Sequence, residues 1–107
     1  MTSIVERFSL DGQVAVVTGA GRGIGEGIAL DFADAGAKVA LAARRTEEIE
    51  RVAAQIVAAG GEAIAVTTDV MDPEQLERLA TEATDRLGSI TCWVNNAGGS
   101  PMRMPMT

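Results

Sequence analysis

The chain has 107 residues, a length that suits one small domain with its own hydrophobic core, and we expect no second domain. Its net charge of −6 disfavours nucleic acid or an anionic membrane as a surface partner. The single cysteine, Cys92, excludes an intrachain disulfide, and without any His it leaves no basis for a zinc site, so no metal site is predicted. Because no apolar run approaches membrane-spanning length and no secretory pattern opens the chain, we expect a cytoplasmic protein.

Short runs rich in β-branched residues alternate along the chain with longer segments of helical period. Strands are predicted at residues 13–18, 38–43, 62–67 and 91–95, all too apolar at their centres for a solvated face. This alternation is typical of an α/β fold with a parallel sheet and right-handed crossover helices. A Rossmann-type, doubly wound sheet of order 3-2-1-4 follows if the chain reverses direction after the third strand.

The crossover helices have recognisable faces and ends. A first helix is predicted at residues 26–35, and a second presents an apolar face with Arg51 on its polar side. Before the third helix, Asp72 is a candidate N-cap, Pro73 suits the first helical position, and Gln75 is placed to complete a capping box.

A glycine-rich turn separates the first strand from the first helix. Residues 18–25 read Thr-Gly-Ala-Gly-Arg-Gly-Ile-Gly, and glycine recurs at every second position from Gly19 to Gly27. Each glycine in a helix costs about 1 kcal/mol relative to Ala, so scaffold needs alone explain such a run poorly. A turn without β-carbons brings free N–H groups and the positive helix end close to an anion. The turn therefore predicts a bound nucleotide, at the crevice between the first and fourth strands.

Two motifs together resemble those of the short-chain dehydrogenase/reductase family. The family's cofactor turn, T-G-x-x-x-G-x-G, is matched by Thr18, Gly19, Gly23 and Gly25, and its N-N-A-G segment after the fourth strand is matched by residues 95–98. Asp69-Val70 matches a further family position, which implies that the carboxylate meets the adenine amino group and the following backbone contacts the ring. The resemblance covers essentially the whole chain.

The end of the second strand bears on the cofactor's phosphate state. Sites that prefer NAD place Asp or Glu about 20 residues beyond the glycine turn, to bind the ribose hydroxyls. Here the sequence reads Ala43-Arg44-Arg45, with Arg22 nearby in the turn, which favours NADP(H) over NAD(H), although NAD(H) stays possible. Alternatively, the two arginines are solvated loop charges or pair with Glu47 and Glu48. The predicted cofactor site comprises Gly19, Gly21, Arg22, Gly23, Ile24, Gly25, Arg44, Asp69, Val70, Asn96, Ala97 and Gly98.

The resemblance implies hydride transfer between a secondary alcohol and a ketone, yet the chain lacks the residues for proton transfer. The family's Tyr-x-x-x-Lys pair has no counterpart, since the chain has no Tyr and one Lys, Lys38, far from the crevice. No catalytic residue is therefore predicted here. We expect this chain to be the amino-terminal part of a longer, seven-stranded domain whose remainder supplies the catalytic pair. The resemblance also implies a small alcohol or ketone substrate and a homotetramer or dimer.

Two other functions fit parts of the sequence. The first is a non-catalytic nucleotide-binding or interaction module, which would need no catalytic pair. An S-adenosylmethionine methyltransferase shares a glycine turn after the first strand but needs an acid near the end of the second, where Ala43 and Arg44 stand.

Overall fold

A computed structural model of the chain describes residues 9–96. Strands and helices alternate from end to end, as the sequence predicts. None of the three helices in this part of the chain is both long and apolar enough to span a lipid bilayer. The elements are β1 (Val14–Thr18), α1 (Gly23–Asp34), β2 (Lys38–Ala43), α2 (Thr46–Ala58), β3 (Glu62–Thr67), α3 (Pro73–Leu87) and β4 (Cys92–Val94).

The four strands form one parallel sheet in the order β3-β2-β1-β4, which confirms the predicted topology. Val16, at the centre of β1, pairs with Ala40 of β2 and with Trp93 of β4. From β1 the chain adds β2 and β3 on one side, and after α3 it returns to add β4 on the other side of β1. The carboxyl ends of the parallel strands β1 and β4 therefore lie side by side. In open α/β sheets this reversal is the usual place for a ligand.

Helices cover both faces of the sheet and create two hydrophobic clusters. On one face α3 packs on the strands, and on the other α1 and α2 do so. The helical anchors are the periodic apolar residues, of which the fully buried large ones are Ile49, Val52 and Leu79. Burying a side chain of this size contributes roughly 1.5–3 kcal/mol. These buried side chains fix the helices to the sheet, and the loops that lead from the strands into the helices form the site described below.

Several local expectations differ from the structure. The first helix begins at Gly23, not at residue 26, so Gly23 and Gly25 are helical residues as well as the predicted Gly27. The fourth strand is limited to Cys92–Val94 and its residues are only half-buried, because β1 is its one neighbour in the described sheet. On β3, likewise at an edge of this sheet, only Ile64 and Val66 are buried.

Candidate functional site: a cleft at the carboxyl end of the sheet

The glycine turn has a backbone conformation that depends on particular glycines. Gly19 and Gly23 both have φ of +63°, in the left-handed region that residues with a β-carbon rarely adopt. Gly21 is needed for a different reason, since a Cβ there would lie 2.8 Å from the Cβ of Glu48. The turn is tied to the neighbouring strand by a bond from Ala20 N to Ala42 O of 3.2 Å.

The turn leads directly into the N-terminus of α1. Arg22 is the N-cap residue, and no side chain caps the helix. In the described part of the chain, the first main-chain N–H of α1 to reach a main-chain acceptor is that of Glu26, on Arg22 O at 3.4 Å. Unpaired N–H groups and the positive end of the helix dipole therefore meet at the turn, an arrangement suited to an anion.

Gly25 and Asn96 join this turn to the end of β4. A Cβ on Gly25 would collide with Gly19 O and would lie 2.6 Å from the side-chain nitrogen of Asn96. Asn96 donates from its main-chain N to Thr18 Oγ1 at 2.8 Å and from Nδ2 to Gly19 O at 3.3 Å. The missing Cβ of Gly25 thus allows α1 to lie close to Gly19, and Asn96 links the carboxyl end of β4 to that of β1.

Arg51 holds the glycine turn from the side of α2. Its Nη2 donates to Gly21 O at 3.2 Å, and its Nη1 lies 3.3 Å from Oε2 of Glu26. The prediction that Arg51 lies on the polar side of its helix gave no hint of this contact. The only available signal was topological, because the predicted strand order places the first two helices on the same face of the sheet.

A hydrogen-bonded loop follows β3 and presents Asp69. The Asp69 N–H donates to Oε1 of Gln75 at 2.8 Å, and Asp69 Oδ1 accepts from Met71 N at 3.0 Å. Asp72 caps α3 by accepting from Glu74 N at 3.0 Å, as its N-cap role predicts. The predicted capping box is wrong, however. The Gln75 side chain does not bond to the main-chain N–H of Asp72; its Nε2 donates to Oδ2 of Asp72 and its Oε1 accepts from Asp69 N, so it orders the loop before the helix.

These loops surround one cleft of about 430 Å³. The cleft brings together seven of the predicted cofactor residues, which are separated by up to 77 positions in the chain. Those seven are Gly19, Gly21, Arg22, Arg44, Asp69, Val70 and Asn96. The cleft wall also includes five residues that were not among the predicted cofactor residues: Ala43, Arg45, Glu48, Thr68 and Met71.

The remaining predicted site residues lie elsewhere. Gly23, Ile24 and Gly25 do not line the cleft, and Ile24 is 75% exposed. Gly23 and Gly25 nevertheless shape it, through the backbone conformation of the turn and through the close approach to Asn96. Ala97 and Gly98 lie outside the described residues.

Arginines predominate at the open rim of the cleft. Arg22, Arg44 and Arg45 are exposed, while the facing carboxylates belong to Glu48 and Asp69. Within residues 9–96 the ion pairs are Lys38–Glu62, Arg51–Glu26 and Arg86–Glu82, so neither Arg44 nor Arg45 is paired there. The alternative in which these arginines pair with the glutamates of α2 is therefore not realised in this part of the chain.

A larger cleft, of about 800 Å³, lies at the other end of the sheet. It is bordered by Lys38 and Glu62 at the amino ends of β2 and β3 and by the Gly60-Gly61 turn. None of the predicted site residues is there. Parallel sheets bind ligands at the carboxyl ends of their strands, so we take the smaller cleft as the candidate site.

Comparison with known proteins identifies the family of the chain. A model of the family described as short chain dehydrogenase matches residues 13–106. The chain belongs to this family. Members of the short-chain dehydrogenase/reductase family bind NAD(H) or NADP(H) in general. The match runs from the first strand past both motifs, in agreement with the extent of the resemblance in the sequence.

Two sequence relatives and one solved structure illustrate the similarity. An uncharacterised oxidoreductase of Mycobacterium tuberculosis (strain CDC 1551 / Oshkosh) is 47% identical over 97% of this chain and 38% of that protein. The 7alpha-hydroxysteroid dehydrogenase of Escherichia coli K12 is 40% identical over 94% of this chain and 41% of that enzyme. A crystal structure of hydroxysteroid dehydrogenase from Escherichia coli superimposes with a TM-score of 0.83 at 37% identity, over 100% of this chain and 45% of that one. The chain thus spans about two fifths of the length of these proteins.

Proposed function

We propose that the chain is the cofactor-binding half of an NADP(H)-dependent oxidoreductase that interconverts a secondary alcohol and a ketone. The observation that carries the proposal is the cleft, in which the glycine turn, Arg44 and the Asp69-Val70 loop enclose one space. No single segment of the chain could form it, because β1, β2 and β3 each contribute the loop at their carboxyl end. Family membership and the fold are consistent with this role.

The described residues fit a dinucleotide. The turn brings Gly19 and Gly21 to the cleft without β-carbons, beside the N-terminus of α1, where a pyrophosphate would be stabilised by main-chain N–H groups. Asp69 has one carboxylate oxygen engaged by Met71 N, and the other would accept from the adenine amino group, with Val70 next to the ring. These residues bind and orient; bound nicotinamide would supply or accept the hydride.

Preference for NADP(H) rests on the cation at the end of β2. Arg44 follows Ala43 where an NAD-preferring site would carry a carboxylate, and its guanidinium is exposed and unpaired within residues 9–96. A guanidinium can donate to two phosphate oxygens at once. One observation favours NAD(H) instead: Glu48 lines the same cleft, where its carboxylate would accept from a ribose hydroxyl and repel a 2′-phosphate.

Proton transfer to or from the substrate oxygen is assigned to the remainder of the same enzyme. The chain has no Tyr and no His, and Lys38 lies at the amino end of β2, away from the cleft. We propose that a segment beyond this chain supplies the Tyr-x-x-x-Lys pair and most of the substrate pocket, and that the complete enzyme acts on a small alcohol or ketone as a homodimer or tetramer.

Binding and turnover measurements on the native protein test the proposal. Titration with NADPH and with NADH should give a lower Kd for NADPH, and nicotinamide absorbance should then report hydride transfer to a panel of ketones. The intact mass of the same sample should exceed that of 107 residues, or a second piece with a Tyr-x-x-x-Lys sequence should co-purify. A native protein of 107 residues that binds a nucleotide without turnover would favour the non-catalytic module.

A further inference from the structure

We propose that Arg51 is a positioning residue for the cofactor turn, acting from outside the cleft with Glu26 as its anchor. This inference rests on the proposed function, in which the glycine turn binds the pyrophosphate of a dinucleotide. Arg51 does not line the cleft. Its role is to fix the orientation of one peptide group in the cleft wall, that between Gly21 and Arg22.

The guanidinium of Arg51 is held by both of its terminal nitrogens. Nη1 is 3.3 Å from Oε2 of Glu26, and Nη2 is 3.4 Å from Oε1 of the same carboxylate. This two-point contact fixes the plane of the guanidinium and not only its position. Nη2 also donates to Gly21 O at 3.2 Å. A lysine could not make this set of contacts, since its ammonium lacks the planar fork.

The bond to Gly21 O controls the direction of a cofactor-side donor. Gly21 O and the N–H of Arg22 belong to one planar, trans peptide group, in which they point in opposite directions. A carbonyl drawn toward Arg51 therefore turns the Arg22 N–H away from α2. Gly21 and Arg22 both line the cleft, so the orientation of this peptide decides whether the donor is available to an anion there.

The platform that carries Arg51 is rigid. Its neighbours along α2, Ile49 and Val52, are fully buried, so the helix cannot shift without disturbing the core. Gly21 is itself buried against Glu48 of the same helix. The start of the turn is bonded to neighbouring segments, through Ala20 N to Ala42 O and through Gly19 O to Nδ2 of Asn96. The bond from Arg51 holds the next carbonyl, that of Gly21, so a fixed helix side chain restrains the peptide between Gly21 and Arg22.

The Arg51–Glu26 ion pair is expected to add little to the stability of the fold. Arg86–Glu82 on α3 is a matched pair, with its arginine 55% exposed like Arg51 and its closest contact 3.4 Å against 3.3 Å. Exposed pairs of this kind contribute little to folding. Within residues 9–96 Arg86 makes this one contact, to Glu82, whereas Arg51 makes two to Glu26 and one to Gly21 O. Arg86→Ala is therefore the natural control for Arg51→Ala.

The experiment compares wild type, Arg51→Ala, Glu26→Gln and Arg86→Ala in the full-length protein, with NADPH, NADH and adenosine 2′-monophosphate as ligands. Adenosine 2′-monophosphate keeps the adenosine and 2′-phosphate contacts but has no pyrophosphate. Arg51→Ala should raise the Kd of both dinucleotides by the same factor, about three- to tenfold, and that of the mononucleotide by less than about twofold. Glu26→Gln should shift the dinucleotides in the same direction by less, and Arg86→Ala should shift nothing.

Hydrogen exchange in the free protein gives a readout that needs no cofactor. The main-chain amides of residues 19–26 should exchange faster in Arg51→Ala than in wild type and Arg86→Ala. Equal loss of all three ligands, or dinucleotide binding unchanged from wild type, overturns the role of Arg51. If the wild type binds neither dinucleotide, the proposed function is overturned instead, so the two failures are distinguishable.

Discussion

The side-chain amide of Asn96 donates to the carbonyl oxygen of Gly19 across 3.3 Å, and so joins the end of β4 to the start of the glycine turn. The main-chain N–H of Asn96 donates to Thr18 Oγ1, the last side chain of β1. Two loops that are far apart in the sequence are thereby fixed at one edge of the sheet. The shape of the cleft depends on this connection as well as on the glycines.

Asn96→Ala tests whether the connection serves the cofactor. The substitution removes a hydrogen bond worth about 1 kcal/mol and leaves Gly19 O without this donor, so we expect about a fivefold rise in the Kd of NADPH. The native fold should persist, because the Asn96 main-chain bond to Thr18 remains. Isothermal titration measures the effect, with Gln55→Ala on the exposed side of α2 as the control. Equal Kd values for the two variants would contradict a role for the Asn96 side chain.

Gly25→Ala and Gly27→Ala should change stability in opposite directions. A Cβ on Gly25 meets the carbonyl of Gly19 and the side chain of Asn96, and we expect a loss of about 1–3 kcal/mol or more, because backbone must move. Gly27 has nothing within 4 Å of its Cβ position and does not have positive φ, so Ala there should stabilise α1 by about 0.5–1 kcal/mol. Urea unfolding of both variants decides the matter, and a destabilised Gly27→Ala would refute the stated cause.

This contrast shows what the glycine pattern could and could not predict. The run of alternate glycines predicts the phosphate-binding turn, but it does not reveal that each glycine has a different role. Gly19 and Gly23 serve backbone conformation, Gly21 and Gly25 serve close approach, and Gly27 has no such constraint. Close approach depends on what lies opposite each residue, and the opposing atoms come from Glu48 of α2, from Gly19 of the turn itself and from Asn96 after β4.

The strand order was predictable for a general reason. Right-handed crossovers and fully apolar strands leave few ways to arrange four parallel strands, and β3-β2-β1-β4 is one of them. Side-chain contacts between elements were harder to predict from the sequence. The pairing of Arg51 with Glu26 and the reach of Gln75 to Asp69 depend on rotamers and on helix placement to within an ångström, which periodicity does not specify.

Arg44→Ala should separate the two cofactors. If Arg44 contacts the 2′-phosphate, its loss raises the Kd of NADPH at least about tenfold, equivalent to about 1.4 kcal/mol, and changes that of NADH by less than about twofold. Arg78→Ala, an exposed arginine on α3, controls for the change in net charge. Fluorescence titration at two salt concentrations gives the ratio of Kd values. Equal losses for NADPH and NADH would eliminate the phosphate role.

Gln75→Ala tests the loop that presents Asp69. The substitution removes the acceptor of the half-buried Asp69 N–H, which costs about 1–3 kcal/mol where the group stays out of water, and it frees the loop after β3. We therefore expect weaker binding of adenosine 2′-monophosphate as well as of NADPH, because in the proposed site this loop contacts the adenine and not the pyrophosphate. Asp72→Ala is the comparison: it removes the N-cap of α3, at about 1 kcal/mol, together with the bond from Gln75 Nε2 to Asp72 Oδ2, but it leaves the Asp69 N–H its acceptor, Gln75 Oε1. Stability should fall in both variants, whereas the mononucleotide Kd should rise more in Gln75→Ala. The reverse order would show that helix capping, and not the Gln75 contact, positions Asp69.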